Sequence, residues 1–405
     1  MSIRPLVVRK YGGKCLATLA DVQRVAKDVT SLYQKDRAVI VVVSAMGQTT
    51  DELTRLAYQI SSRPARRELD MLLTTGERVS MALMSMALQD LGCPAVSFTG
   101  SQAGVLTDDS HSNARITDLR PIRIEQSLTE GKVVVLAGFQ GVSPRRKEVT
   151  TLGRGGSDTT AVAMAAHFKA ERCEILKDVS GVFSADPKLI PQAHHYSELS
   201  YDQVARMCFW GAKVLHYRSV ELAQAQGVPL FVGSATLPER GTLITQGVPM
   251  FEQAKILAIN SHPKVHHYQV AGQGMAQSFE QLDKALRKME LPWPQILASV
   301  HDPSGWTRFM VTGDDWSLAS LEALAQQKNE WGLSSLNQVM ASVTLSGYGL
   351  SCSPVLNQAL ELLKAVDVAV EKVITHEGSL SFFVSPTDLS KAMSQLHLLI
   401  ESSAL

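Results

Sequence analysis

The residues in this sequence best suited to chemistry are glycines set beside lysine, arginine and aspartate, and the chemistry they suit is the handling of anions. Paired glycines let backbone N–H groups approach an anion closely, and a neighbouring cation neutralises it. Lys10-Tyr11-Gly12-Gly13 is one such turn, although alone it reads more simply as a surface lysine before a tight turn. Ser44-Ala45-Met46-Gly47-Gln48-Thr49 is a second, and Thr74-Thr75-Gly76-Glu77, ahead of a helix starting near Arg78, is a third. A glutamate in a first helical turn either complements the helix dipole or holds an ammonium group, and nothing local decides between the two.

The fourth turn carries the most information. Gly153-Arg154-Gly155-Gly156-Ser157-Asp158 places three glycines within four residues at the entrance to an alanine-rich helix. Free N–H groups at that helix start, with Arg154 beside them, make a cradle for a carboxylate or phosphate. An N-cap role would explain Asp158 but not Arg154 and the glycines together. Later come Lys177-Asp178-Val179-Ser180-Gly181-Val182-Phe183 with Asp186-Pro187-Lys188, and Gly211-Ala212-Lys213-Val214-Leu215-His216. A lysine placed like Lys213 is ordinarily just solvated. Neither a Walker loop nor a protein-kinase motif set occurs.

Such turns need strands and helices to hold them. Ala38-Val39-Ile40-Val41-Val42-Val43 and Val133-Val134-Val135-Leu136 are apolar without alternation, as expected of strands buried on both faces. Val22, Val25, Ala26, Val29 and Leu32 recur at helical spacing. The rhythm of strand, helix and strand predicts an α/β fold, an open and mostly parallel sheet sandwiched by helices. In such sheets ligands bind beyond the carboxyl ends of the strands, where these glycine turns fall. After about residue 240 the glycine motifs stop, and two α+β units follow, expected at 250–328 and 329–405.

Lys plus Arg and Asp plus Glu number 39 each, so net charge gives no reason to propose a nucleic-acid or membrane partner. The five scattered cysteines fit a reducing compartment better than a disulfide framework. The start, Met1-Ser2-Ile3-Arg4-Pro5, lacks a signal-peptide core, and no run approaches the roughly 18 apolar residues of a membrane span. A cytoplasmic protein is expected.

In their order and spacing over about residues 5 to 235, these segments resemble the aspartokinases of the amino acid kinase superfamily. The match also includes Thr99-Gly100, Gln102-Ala103-Gly104 and Gly138-Phe139-Gln140-Gly141. The resemblance implies a catalytic domain at 1–240 followed by two ACT-like units. It implies transfer of a phosphoryl group from ATP, with Mg²⁺, to the side-chain carboxylate of L-aspartate, the first step toward lysine, threonine and methionine. Carried over by position, Lys10, Gly12 and Gly13 would neutralise the transferring group, and Asp158 would hold the lysines. Glu77 would grip the substrate ammonium and Arg154 its α-carboxylate, with Ser44, Thr49 and Ser157 as polar contacts. Lys177, Asp178, Phe183, Lys188 and Lys213 would line the nucleotide. No residue is assigned to a metal. Pairing of ACT units implies a homodimer or larger homo-oligomer.

The sequence departs from the family mainly on the nucleotide side, at Lys14-Cys15, Lys177, Phe183, Lys188 and Tyr217. The first tail unit, at Gly272-Gln273-Gly274-Met275-Ala276-Gln277, lacks the family's usual Asp-x-Pro-Gly turn. Two rival readings are a related kinase with another acceptor and a non-catalytic subunit that binds amino acids through its tail. The retention of Lys10, Arg154, Asp158 and Lys213 argues against the second.

Overall fold

Strand β2 (Ala38–Val43) is buried from Val39 onward because it has a parallel neighbour on each side and helices over both faces. The computed structural model describes residues 4–237, 240–247, 255–272, 274–289, 291, 293–313, 315–326, 330–350 and 354–402. Around β2 lie β1 (Leu6–Tyr11), β3 (Ala95–Phe98), β4 (Val133–Ala137), β5 (Arg172–Lys177), β6 (Glu198–Ser200), β7 (Leu230–Ser234) and β8 (Gly241–Thr245). Their order across the sheet is β6-β8-β7-β5-β1-β2-β4-β3. Only the β7–β8 pair is antiparallel. The expected open, mostly parallel sheet is present.

Helix α1 (Leu19–Gln34) opens on a capping box in which Thr18 Oγ1 accepts from Asp21 N at 3.1 Å and Asp21 returns the bond to Thr18 N. Its Val22, Val25, Ala26 and Val29 pack into the same core as Val39, Val41 and Val43. Helix α2 (Thr49–Ile60) follows β2, and α3 (Arg66–Asp90) runs for 25 residues. Glu77 therefore sits in the middle of α3, not in the first turn of a helix starting near Arg78. Gly76 suggested a break, but its role is steric, since a Cβ there would stand 2.8 Å from the Ala45 side chain. The remaining helices of this part are α4 (Ile122–Thr129), α5 (Gly156–His167), α6 (Tyr201–Phe209) and α7 (Tyr217–Gln226).

The chain forms two units. One comprises Met1–Val182, His195–Phe209 and Lys213–Pro249, and the other Phe183–His194, Trp210–Ala212 and Met250–Leu405. Two short segments inside the expected domain 1–240 thus group with the second unit. That unit holds β9 (Lys255–Ala271), α8 (Met275–Lys288), β10 (Gln295–His301), β11 (Trp306–Thr312), α9 (Asp315–Ala325) and β12 (Leu333–Tyr348). It continues with α10 (Val355–Ala365), β13 (Val370–His376), β14 (Ser379–Val384) and α11 (Leu389–Ser402), and its sheet order is β10-β11-β9-β12-β14-β13.

Its two halves are nested rather than consecutive. The first half of β9 pairs with the end of β12, and the second half of β9 with its beginning. Ile256 and Ile259 accordingly share a core with Leu345, Leu363, Phe382 and Leu396, whereas Tyr268 and Val270 share one with Leu282, Phe309, Leu321 and Leu333. The succession 250–328 then 329–405 misses this because one long strand serves both cores. Among the described residues, no helix is long and apolar enough to cross a membrane.

Candidate active site

Three charged side chains meet where β1, β5 and α5 converge. Lys10 Nζ lies 2.6 Å from Asp158 Oδ1, and Lys177 Nζ lies 3.3 Å from Asp158 Oδ2. Lys10 is near the end of β1, Lys177 ends the adjacent β5, and Asp158 is in the first turn of α5. Burial opposes ionisation of Asp158, yet Lys10 and Lys177 together outweigh it and hold the carboxyl down at about 2. The result is a fixed pair of cations at the carboxyl edge of a parallel sheet, facing the start of a helix.

The glycine turns bring backbone to the same edge. Gly12 N donates to Leu176 O at 3.0 Å, and Gly47 N donates to Gly13 O at 2.9 Å, tying the loops after β1, β2 and β5 together. A Cβ at Gly13 would stand 2.6 Å from Ala45 O, so no other residue fits there without moving the loop. Gly155 precedes α5 with φ of +69°, and a Cβ there would meet the His216 side chain at 2.2 Å. The N–H groups of Ser157 and Asp158 lie in the first turn of α5, where no intrahelical acceptor exists. Ser157 is buried, and a Cβ on Gly138 would touch it at 2.7 Å.

Glu77 borders this edge from α3. Its Oε1 accepts from Ala45 N at 3.0 Å, while Oε2 is buried without a hydrogen-bond partner among the described residues. Burial pushes Glu77 up to about 7, against the opposing pull of the Ala45 N–H and Lys10. Such an oxygen is open to a hydrogen-bond donor.

The other expected residues are placed less uniformly. Ser44 follows β2 directly and is half-buried, and the Thr49 hydroxyl donates to Met46 O at 2.7 Å. Arg154 is exposed on the loop before α5, Lys213 is exposed on the turn before α7, and Asp178 pairs with Lys14 at 3.1 Å. Phe183 and Lys188 fall in the segment Phe183–His194 of the second unit, and the cluster described here is built without them.

Sequence reasoning missed three residues that brace the Arg154 loop. His216 caps α7, its Nδ1 accepting from Arg218 N at 3.3 Å. Burial, then Arg218, pushes His216 down to about 4, so its ring is neutral at pH 7 with the proton on Nε2. Arg218 donates to Asn113 Oδ1 at 2.8 Å, to Leu152 O at 3.1 Å and to Ala114 O at 3.1 Å. Asp70, fully buried on α3, accepts from Thr151 Oγ1 at 2.6 Å. A histidine just before a helix hints at a cap, but Asp70 has no local sequence signal.

The amino acid kinase family description matches residues 5–234. Over 97% of its length the chain is 40% identical to an aspartokinase of Corynebacterium efficiens and 41% identical to one of Mycobacterium tuberculosis, spanning 95% of each relative. The chain belongs to the aspartokinases of the amino acid kinase family. Among solved structures, the aspartate kinase from Synechocystis is 35% identical with a TM-score of 0.55, covering 98% of this chain and 69% of that one. E. coli aspartokinase III in complex with aspartate and ADP shares the fold at a TM-score of 0.76 and 23% identity, covering 97% of this chain and 99% of that one. For an aspartokinase, the cationic pair and the unpartnered Glu77 oxygen have a ready reading.

Proposed function

We propose that this aspartokinase transfers the γ-phosphoryl group of ATP to the side-chain carboxylate of L-aspartate through the cluster built on Asp158. The observation that carries the reading is the pair of lysines, Lys10 and Lys177, fixed on one buried carboxylate at the sheet edge. Phosphoryl transfer needs an in-line acceptor and neutralised charge rather than a protein nucleophile. Lys10, with the N–H group of Gly13, meets the transferring group, and Asp158 keeps both lysines extended toward it. The Gly12 N–H expected to join them is instead given to Leu176 O at 3.0 Å and ties the loop down. Glu77 Oε2 takes the substrate ammonium and Arg154 the α-carboxylate, which leaves the second carboxylate of aspartate as the nucleophile. Ser44, Thr49 and Ser157 line the acceptor; Lys177, Asp178 and Lys213 serve the nucleotide.

Mg²⁺ fits this site as the nucleotide's own counter-ion. It would enter on the phosphate oxygens and keep most of its waters, and no residue of this chain is assigned to it, because both oxygens of Asp158 are taken by Lys10 and Lys177. The unpaired backbone of the edge strands β10 and β13 suits assembly with another copy, giving a homodimer or larger homo-oligomer. Four buried free thiols, Cys15, Cys93, Cys173 and Cys208, fit the reducing cytoplasm.

The test is release of ADP with aspartate, glutamate and related acids as acceptors, in wild type and Arg154→Lys. Turnover is expected with aspartate, and the lysine variant should raise its KM because an ammonium cannot reproduce a bidentate pair. Absence of ADP release with every acceptor would remove the reading.

A further inference from the structure

The two halves of the proposed acceptor clamp stand on separate elements, Glu77 on α3 and Arg154 on the loop entering α5. Something must fix their separation, because a dicarboxylic acid one methylene longer would otherwise fit as well. Asp70 lies on α3 about two turns before Glu77, and it is fully buried. Its carboxylate accepts from Thr151 Oγ1 at 2.6 Å, Thr151 N at 3.2 Å, Ser112 N at 3.1 Å and Ser112 Oγ at 3.3 Å, and it meets His111 Nδ1 at 2.9 Å.

Each of these partners borders the Arg154 loop. Thr151 ends the strand Val149–Thr151 and is followed by Leu152, Gly153 and Arg154. Ser112 is held at φ of +63°, uncommon for a residue with a side chain, and its carbonyl would stand 2.9 Å from a Cβ on Gly153. Ala114 N donates to Thr151 O at 2.8 Å, closing the two segments on each other. One carboxylate on the Glu77 helix therefore anchors both the strand that leads into the arginine and the segment packed beside it.

We propose that Asp70 is a positioning residue that sets the distance between Glu77 and Arg154 and so the length of acceptor this enzyme takes. The proposal rests on the clamp reading of Glu77 and Arg154. Asp70 touches no reacting atom in that reading. It acts by holding the loop, and displacement of a binding group by about 1 Å can cost on the order of 10²-fold.

The experiment uses the full chain and two variants. Asp70→Asn turns one acceptor oxygen into an NH₂ that faces donors, and Thr151→Val removes the shortest bond while keeping the side chain's shape. The KM for aspartate should rise about tenfold or more in Asp70→Asn and less in Thr151→Val, with the KM for ATP little changed. The preference for aspartate over glutamate should narrow in both. A merely structural role would lower the melting temperature and the amount of active enzyme but leave both KM values and the preference in place, and that result overturns the proposal. If Asp70→Asn does not fold, an unchanged aspartate KM in Thr151→Val overturns it equally. Arg154→Lys, measured in parallel, separates the two claims. If its aspartate KM is normal, the clamp itself is wrong. If it is raised while the Asp70 and Thr151 variants are unaffected, only the positioning role fails.

Discussion

Lys10 and Asp158 form a buried ion pair between a strand end and a helix start, Nζ to Oδ1 2.6 Å, and Lys177 shares the same carboxylate. Removing one partner of a buried pair ordinarily destabilises by about 3–5 kcal/mol because the other charge is stranded. Here Lys177 still neutralises Asp158 when Lys10 is gone, so Lys10→Ala should fold. Its kcat should fall by about 10²-fold or more, the scale for losing a positioned charge at a transferring group. Asp158→Ala should lose activity on the same scale, since both lysines relax apart. Circular dichroism and single-turnover rates check both, and a near-normal kcat in either variant removes that residue from the catalytic set.

Gly155 supports a second prediction. Its φ of +69° disfavours any side chain, costing roughly 1–2 kcal/mol, and a Cβ would press on His216 at 2.2 Å. Gly155→Ala should lower the melting temperature and raise the aspartate KM together, because the same displacement moves Arg154. Differential scanning fluorimetry and initial rates on one preparation check this. A Gly227→Ala control also sits at positive φ, with nothing within 4 Å, and should cost stability without altering KM.

How far the sequence reveals this site depends on whether a residue's role is local. Strands β2 and β4 are legible because burial on both faces demands an unbroken apolar run. The loop before α5 is legible because three glycines around an arginine at a helix start mark an anion cradle. The structure shows that close packing also requires them, a Cβ on Gly155 meeting His216 at 2.2 Å and one on Gly153 meeting Ser112 O at 2.9 Å. Gly76 misleads because a helix-interior glycine imposed by Ala45 across the fold looks the same as one that ends a helix. Asp70 is silent for a related reason. Its donors come from residues 111, 112 and 151, and a single aspartate in an amphipathic helix carries no mark of partners so distant in the chain. The nesting of the tail is hidden because Ile256 and Val270 belong to one continuous strand, and only tertiary packing assigns them to different cores.

The tail yields a third prediction, weak or absent inhibition by free lysine and threonine. An effector carboxylate needs preorganised N–H groups, and the loop before α8 begins with Gly272 and Gly274 and has no side-chain cap on the helix. Gln273 of the same loop lies outside the described residues. Ordering a glycine-rich segment costs roughly 1–2 kcal/mol per residue fixed, which subtracts from affinity. Titration of each amino acid, alone and together, at subsaturating aspartate should give a flat response. Strong inhibition at micromolar concentration would sink the idea.

Glu77 makes the last prediction, which concerns pH. Its carboxyl is raised from 4.5 to about 7, chiefly by burial. An ammonium binds the ionised form, so kcat/KM for aspartate should climb as pH rises through about 7 and level above it. Stability should move the other way. The folded state binds a proton that the unfolded state has released between about 4.5 and 7, so the free enzyme loses stability as pH rises across that window. The difference corresponds to about 3 kcal/mol at full ionisation, using about 1.4 kcal/mol per unit. Glu77→Gln keeps an acceptor for Ala45 N but carries no charge to bury. Its melting temperature should exceed that of wild type at pH 8 and match it near pH 5, while its aspartate KM rises and its rate profile loses the step near 7. Saturating aspartate should stabilise wild type at pH 8 and do much less for the variant. Identical melting profiles for the two proteins from pH 5 to 8 would show that Glu77 does not titrate in this range, and a step near 7 in kcat/KM would then need another residue.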